Sequence, residues 1–279
     1  MWNFRVIKKK SFSTYLKNLI LEHGFHFIGL PETMQQDISD TIINKIDPMK
    51  EYLWKWESSR GRSGGILVRI KLEFLDVGSI VEGEFMLHMN LWDKQKTEKW
   101  NLITVYGAAQ EGRKDLFLTK LASFCSRCNE LFLIGCEFNI IRFSNEKNKN
   151  NGVHKHTGVF NSIISNFELV EIFISGDRFA WSNNQPDPTL EKLDRFLMSK
   201  KWESIFPKVV VLKLPSEVSD HNPLILSIDN KQPMRHLSFK FELSWLSNPD
   251  FLPKVKEIWA KPCHAESAFD KIQKKAKRC

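Results

Sequence analysis

Ser219-Asp220-His221-Asn222-Pro223-Leu224 is the stretch on which the reading of this chain turns. It runs into the apolar Leu224-Ile225-Leu226, so Asp220 and His221 stand at the mouth of a strand. A carboxylate beside an imidazole there can bind a divalent cation and move a proton at one phosphate. Taken singly, Asp220 reads equally as a turn carboxylate and His221 as a surface histidine. The pair gains weight from polar residues in or beside other strands: Asn3, Glu32, Glu137, Asn139 and Asp194.

The elements around these residues follow from periodicity. Residues 2–7 read as a short strand. Phe12, Leu16, Leu19 and Ile20 recur at helical spacing, closed by Gly24 as a C′ residue. Residues 25–30 form a strand that ends at Pro31-Glu32-Thr33. Residues 52–57 and 66–68 suggest a hairpin closed through Gly64-Gly65. Residues 85–92 and 100–106 are two strand-like runs around the polar turn 94–99. A helix over 117–128 precedes a buried strand, 131–135, which leads into Glu137-Phe138-Asn139. A polar loop, 145–157, and a helix, 160–167, come next. Residues 179–182 and 192–198 read as a second hairpin, and 209–214 and 224–228 as the last strands. Hairpins mixed with crossovers exclude a purely parallel βαβα sheet. The pattern predicts an α/β (α+β) fold of two mixed sheets face to face, with helices outside.

Composition bounds the rest. The chain has 279 residues, 42% hydrophobic, enough for a large core. Of the net charge of +8, residues 231–279 carry +6, from eleven Lys/Arg against five Asp/Glu. The basic character therefore belongs to the tail, which favours acidic partners such as nucleic acid. We expect one domain over residues 1–229 and a basic linker or tail over 230–279. No signal-peptide run opens the chain, and no apolar run reaches the ~20 residues that span a bilayer. A soluble, intracellular monomer without membrane contact is expected. Cys125 and Cys128 form a C-x-x-C without a second pair and read as reduced thiols. His154-x-His156 has no carboxylates near in sequence and reads as non-metal.

Phosphodiester hydrolysis needs phosphate charge neutralised, water oriented, non-bridging oxygens held and the leaving oxygen stabilised. Mg²⁺ takes oxygen ligands and keeps several waters, so one or two carboxylates suffice. Asn3 alone reads as a turn amide, Glu32 as a helix N-terminal acid, and Tyr106 as core. Asp194 interrupts Leu193 and Phe196-Leu197, so it is either solvent-facing or deliberately buried.

The order of these segments resembles a known family. Trp2-Asn3, Leu30-Pro31-Glu32-Thr33, Val105-Tyr106-Gly107, Gly135-Cys136-Glu137-Phe138-Asn139, Leu193-Asp194-Arg195-Phe196-Leu197 and the Ser219 stretch resemble the ordered motifs of the endonuclease/exonuclease/phosphatase (DNase I-like) superfamily. Phe179-Ala180-Trp181-Ser182-Asn183-Asn184, Pro188 to Leu197, Val105 to Gln110 and the tail from Phe239 to Phe251 are most similar to the endonuclease domain of plant LINE-type (non-LTR) retrotransposon polyproteins.

The resemblance implies a four-layer sandwich of two mixed β-sheets flanked by helices, with the site at one sheet edge. It implies Mg²⁺ or Mn²⁺ held by Asn3, Glu32 and Asp220, and no small-molecule cofactor. His221 would act at the scissile phosphate as general base or protonated stabiliser, oriented by Asp194. Asn139 and Tyr106 would hold phosphate oxygens, and Glu137 would position water. The implied task is nicking DNA, in the nucleus if the chain is functional, ahead of a missing reverse-transcriptase domain. A catalytically impaired nucleic-acid-binding remnant, or a phosphoinositide phosphatase or deadenylase on the same fold, are the other readings.

The chain departs from the family pattern in four places. Glu137 stands where the family has Asp, and Ala109 where many members have Asn. Val6 replaces a Gly, and only two residues precede Asn3, so the first strand looks clipped.

Overall fold

Period-2 alternation sorts the strands into two facing layers. The computed structural model describes residues 1–4, 10–47, 50–60, 63–149, 155–176, 178–216, 218–228 and 249–260. The chain divides into two compact units, Met1–Asn230 and Lys231–Cys279. The first unit begins with α1 (Lys10–His23), β1 (Phe27–Pro31), α2 (Asp40–Ile46), β2 (Tyr52–Arg60), β3 (Ser63–Lys71) and β4 (Leu75–Gly83). Next come β5 (Met86–Asp93), β6 (Glu98–Tyr106), α3 (Lys114–Arg127), β7 (Phe132–Glu137), α4 (Lys155–Asn166), β8 (Val170–Glu171) and β9 (Ile174–Ser175). It closes with β10 (Trp181–Ser182), β11 (Leu190–Glu191), β12 (Asp194–Met198), α5 (Lys200–Ile205), β13 (Val210–Lys213) and β14 (Leu224–Ser227). In the second unit the described residues hold α6 (Phe251–Ala260). His154 and residues 229–248, including most of the tail likeness, lie outside the described residues.

One layer is a mixed six-stranded sheet in the order β4-β5-β6-β7-β12-β8. The other combines β1-β3-β2 with β14-β13-β9. The first residues of the chain join those two pieces. Trp2 N–H donates to Gly29 O at 2.9 Å, and Met1 O accepts from Leu224 N–H at 2.9 Å. The strand expected over residues 2–7 is therefore replaced, over described residues 1–4, by a non-strand connector. It bonds one neighbour through Met1 and the other through Trp2, too few bonds to form a ladder with either.

Alternation then builds four layers. Ile66, Val68 and Ile70 of β3 face Leu87, Met89, Leu102, Leu133, Phe196 and Met198 across the core between the sheets. Ile103, Val105, Ile134 and Leu197 turn the other way, onto Phe117 and Leu121 of α3 and Phe160 and Ile164 of α4. Leu67, Ile28 and Leu30 cover Phe12 and Leu16 of α1. Each such side chain, once fully buried, contributes about 1.5–3 kcal/mol, so helices that present one apolar stripe are held against the sheets. Gly24 closes α1 at φ +59°, and its N–H donates to Ile20 O.

Two further expectations need correcting, and one strand carries no sequence signal. Residues 192–198 do not pair with 179–182. Leu190–Glu191 does that, and the chain breaks before β12 pairs with β7 and β8. The polar loop 145–157 is shorter than expected, because α4 already begins at Lys155. There His156 is buried, with its ring nitrogens 2.9 Å from Glu111 Oε1 and 3.1 Å from Asp115 Oδ1. The strand β4 was missed because most of its residues are exposed, which leaves no apolar alternation to read. Among the described residues, Cys125, Cys128 and Cys136 are free thiols. No helix there is long and apolar enough to cross a membrane.

Candidate active site

Register places three candidate residues in one row. Tyr106 pairs with Glu137 across β6 and β7, and Glu137 pairs with Asp194 across β7 and β12. Alternation turns all three toward the facing sheet, whose connector supplies Asn3 and whose β14 is preceded by His221. The sequence of β12 explains Asp194. Its even positions, Asp194, Phe196 and Met198, face inward, while Arg195 and Leu197 face the helices. Arg195, fully buried, donates to Glu146, Glu171, Ile140 O and Lys192 O, which pins the start of the strand.

Hydrogen bonds and short polar contacts join five of the predicted residues. His221 Nδ1 lies 2.7 Å from Asp194 Oδ2. His221 Nε2 lies 3.4 Å from Asn3 Nδ2 and 3.7 Å from Glu137 Oε1. The Asn3 amide donates to Glu32 Oε2 at 2.9 Å and closely to Glu137 Oε2. Asn3, Glu137, Asp194 and His221 are all buried. Burial first, then Asp194 and Glu32, raise the Glu137 carboxyl to about 8 against the pull of His221. Burial alone would lower His221, but Asp194 and Glu137 outweigh it and raise the imidazole to about 10.

The remaining predicted residues border this chain. Tyr106 has its ring in the inter-sheet core. Asn139, two residues beyond β7, donates its amide to Gly107 O at 2.8 Å. The Asp220 carboxylate accepts from Trp181 Nε1 at 3.3 Å, so it leans toward β10. Three backbones here are in the left-handed region without being glycine: Glu32 (φ +56°), Cys136 (φ +109°) and Asn139 (φ +55°). Such conformations cost roughly 1–3 kcal/mol each and gather where geometry serves function.

The site chemistry suits a hard cation. Asn3 Oδ1 is buried without a hydrogen-bond partner, beside the Glu32 and Glu137 carboxylates that share its amide. Among the described residues no three His, Cys, Asp or Glu gather as a ready ligand set. The fit is to a cation that takes one or two protein oxygens and keeps its waters, which is the habit of Mg²⁺.

Reading by motif order left several contributors without a role. Trp2 donates its indole N–H to His221 O at 2.9 Å, and Ser219 Oγ donates to Asn3 O at 2.9 Å. Gly107 N–H donates to Glu137 O at 2.8 Å. Their only sequence signal was adjacency to the candidates.

The architecture is shared with solved structures. An AP endonuclease from Leishmania major, LMAP, superimposes at TM-score 0.64 with 15% identity, covering 80% of this chain and 84% of that one. This is the DNase I-like fold. A 3′ phosphatase from Neisseria, NExo, solved with a product DNA hairpin, matches at TM-score 0.64 and 14% identity, over 82% of this chain and 97% of that one. The endonuclease domain of TRAS1, a telomere-specific non-LTR retrotransposon, matches at 0.61 and 10%, over 80% and 94%. No family model matches the sequence, and no curated protein does.

Proposed function

We propose that this DNase I-like chain is a divalent-metal-dependent phosphodiester hydrolase that nicks DNA, of the retroelement endonuclease type. The observation that carries the reading is the buried Asp194–His221 pair at 2.7 Å, with His221 Nε2 turned toward Asn3 and Glu137. Asp194 fixes the ring by accepting the Nδ1 proton, so Nε2 is the nitrogen presented to a phosphate. With its pKa raised, His221 is an imidazolium at neutral pH and neutralises a non-bridging oxygen rather than removing a proton. Glu137 is the group placed to orient water and take its proton as the water oxygen bonds to phosphorus and the ester P–O bond breaks, the leaving oxygen departing as an alkoxide that takes a proton from solvent. Asn139 has committed one amide hydrogen to Gly107 O and keeps the other for a phosphate oxygen. Asn3 and Glu32, with Asp220 alongside, would hold the cation, which supplies Lewis-acid neutralisation of phosphate charge.

A second reading, an impaired remnant of the same fold, is favoured by one feature. The Glu137 carboxylate spans from Asn3 Nδ2 toward His221 Nε2 and so fills space that water and phosphate need. Nicking of supercoiled plasmid with Mg²⁺, with Mn²⁺ and with EDTA separates the two. We expect slow, metal-dependent nicking, abolished by His221→Ala and raised by Glu137→Asp with DNA affinity unchanged. A side chain shorter by one methylene moves the carboxylate by about 1 Å, a displacement that changes rates by up to about a hundredfold. No nicking by the parent or by Glu137→Asp with either metal would reject the nuclease reading.

A further inference from the structure

Asn3 and His221 lie 218 residues apart in the chain yet 3.4 Å apart in the site. No strand ladder holds their segments together over the described residues. The reciprocal Met1–Leu224 backbone bonds, both 2.9 Å, tie the segments two and three residues away from the site pair, and at the pair itself they are joined by two side-chain bonds running in opposite directions. The Trp2 indole N–H donates to His221 O at 2.9 Å, and the Ser219 hydroxyl donates to Asn3 O at 2.9 Å. The same Ser219 oxygen accepts the His221 N–H at 3.1 Å, so one hydroxyl holds both segments at once. Its alternative acceptor, Asp220 Oδ1, is at 3.4 Å and competes poorly for the single hydroxyl proton.

Trp2 is itself anchored. It is 3% exposed, and its ring packs against Phe4 at 4.8 Å and Tyr15 of α1 at 5.1 Å. Tyr15 also donates its hydroxyl to Pro215 O at 3.0 Å, which ties α1 to the segment leading to His221. Packing alone would be served by any large aromatic ring. The indole N–H directed at a backbone carbonyl of the site would not.

We propose that Trp2 and Ser219 are positioning residues that suture the Asn3 segment to the His221 segment and so set the spacing between the cation side and the phosphate side of the site. This rests on the assignment of Asn3 and His221 to one site. A loosened suture lets the His221 backbone drift, and the Nδ1–H···Asp194 bond lengthens or loses its direction.

The test is spectroscopic and does not need an active enzyme. In protein labelled with ¹⁵N at its histidines, the Nδ1 proton held by Asp194 gives a far-downfield signal, assigned by its absence in His221→Ala. Trp2→Phe keeps the ring and removes the N–H; Ser219→Ala removes the hydroxyl; Ser219→Thr restores it. We expect the signal to shift upfield or broaden in Trp2→Phe and Ser219→Ala and to persist in Ser219→Thr, with thermal midpoints close to the parent. If the parent nicks DNA, the two disrupted variants should lose about tenfold or more in kcat with KM little changed. A parent signal left untouched by both Trp2→Phe and Ser219→Ala overturns the suture alone. A parent without the signal overturns the Asp194–His221 site and the suture with it. Should Trp2→Phe fail to fold, the half-buried Ser219 pair of variants decides the matter.

Discussion

At the scale of single residues, the proposed chemistry turns on Glu137 and Glu32. Glu137 titrates near 8 because its burial disfavours the anion and Asp194 and Glu32 add repulsion. Its ionised form is the one able to take a proton, and the cationic form of His221 survives to about 10. The nicking rate should therefore rise with pH as Glu137 ionises and fall as His221 loses its proton. A bound cation moves the rising limb below 8, since positive charge favours the carboxylate. Initial rates between pH 6 and 10 check this; a flat profile would remove Glu137 from the proton path. Glu32 faces the orphaned Asn3 oxygen across the shared amide, so Glu32→Ala should weaken Mn²⁺ binding measured by titration calorimetry, with Asp220→Ala weakening it less. Equal affinity in both variants would place the cation elsewhere.

At the scale of elements, the site depends on how β6, β7 and β12 are pinned at their ends. A Cβ at Gly107 would lie 2.1 Å from Phe138 O, a backbone atom that cannot swing aside. Gly107→Ala should separate the ends of β6 and β7 and unseat Asn139. We expect a loss of about 1–3 kcal/mol, typical of overpacking, read as a lower urea midpoint. The far side of β12 is held by Arg195, Lys192 and Arg142 around Glu171. Burial opposes ionisation of Glu171, but these cations outweigh it and hold the carboxyl at about 2. Depressed below its ordinary value, it stabilises the fold above about pH 4.5, and that contribution is lost as pH falls toward 2. Thermal melts of the parent should drop across that window. Glu171→Gln should be nearly flat over it and, at pH 7, less stable by about 3 kcal/mol, because Arg195 is left buried with one carboxylate fewer.

At the scale of the whole molecule, we expect the basic tail to be separable from the first unit. The first unit carries both facing sheets, the helices packed on them and every candidate site residue. Brief trypsin treatment should remove residues 231–279 and leave a fragment with the parent's thermal midpoint and its metal affinity. Since the tail carries +6 of the charge, its loss should weaken DNA binding and flatten the salt dependence of that binding. A fragment that unfolds on cleavage would show the tail to be part of the core.

The strands that bury a full face were legible in the sequence, because β5, β6, β7 and β12 place mostly apolar residues at their buried positions. So were α1 and α3, through helical spacing, and the candidate residues, through the order of short motifs. Exposed β4 and the two-residue strands carry no periodicity, since burial is what writes periodicity into a sequence. A cluster of Asn3, Glu32, Asp194, Asp220 and His221 was expected from their places in or beside separate strands, but the geometry of any such site is tertiary. Register decides that Tyr106, Glu137 and Asp194 share a row. A connector of a few residues, neither helix nor strand, decides that Asn3 meets His221. The orientation of the Asn3 amide, the lean of Asp220 toward Trp181 and the work of Trp2 and Ser219 arise from contacts between segments 29 to 219 residues apart. No local pattern encodes such contacts, because the energy that selects them exists only once both layers are packed.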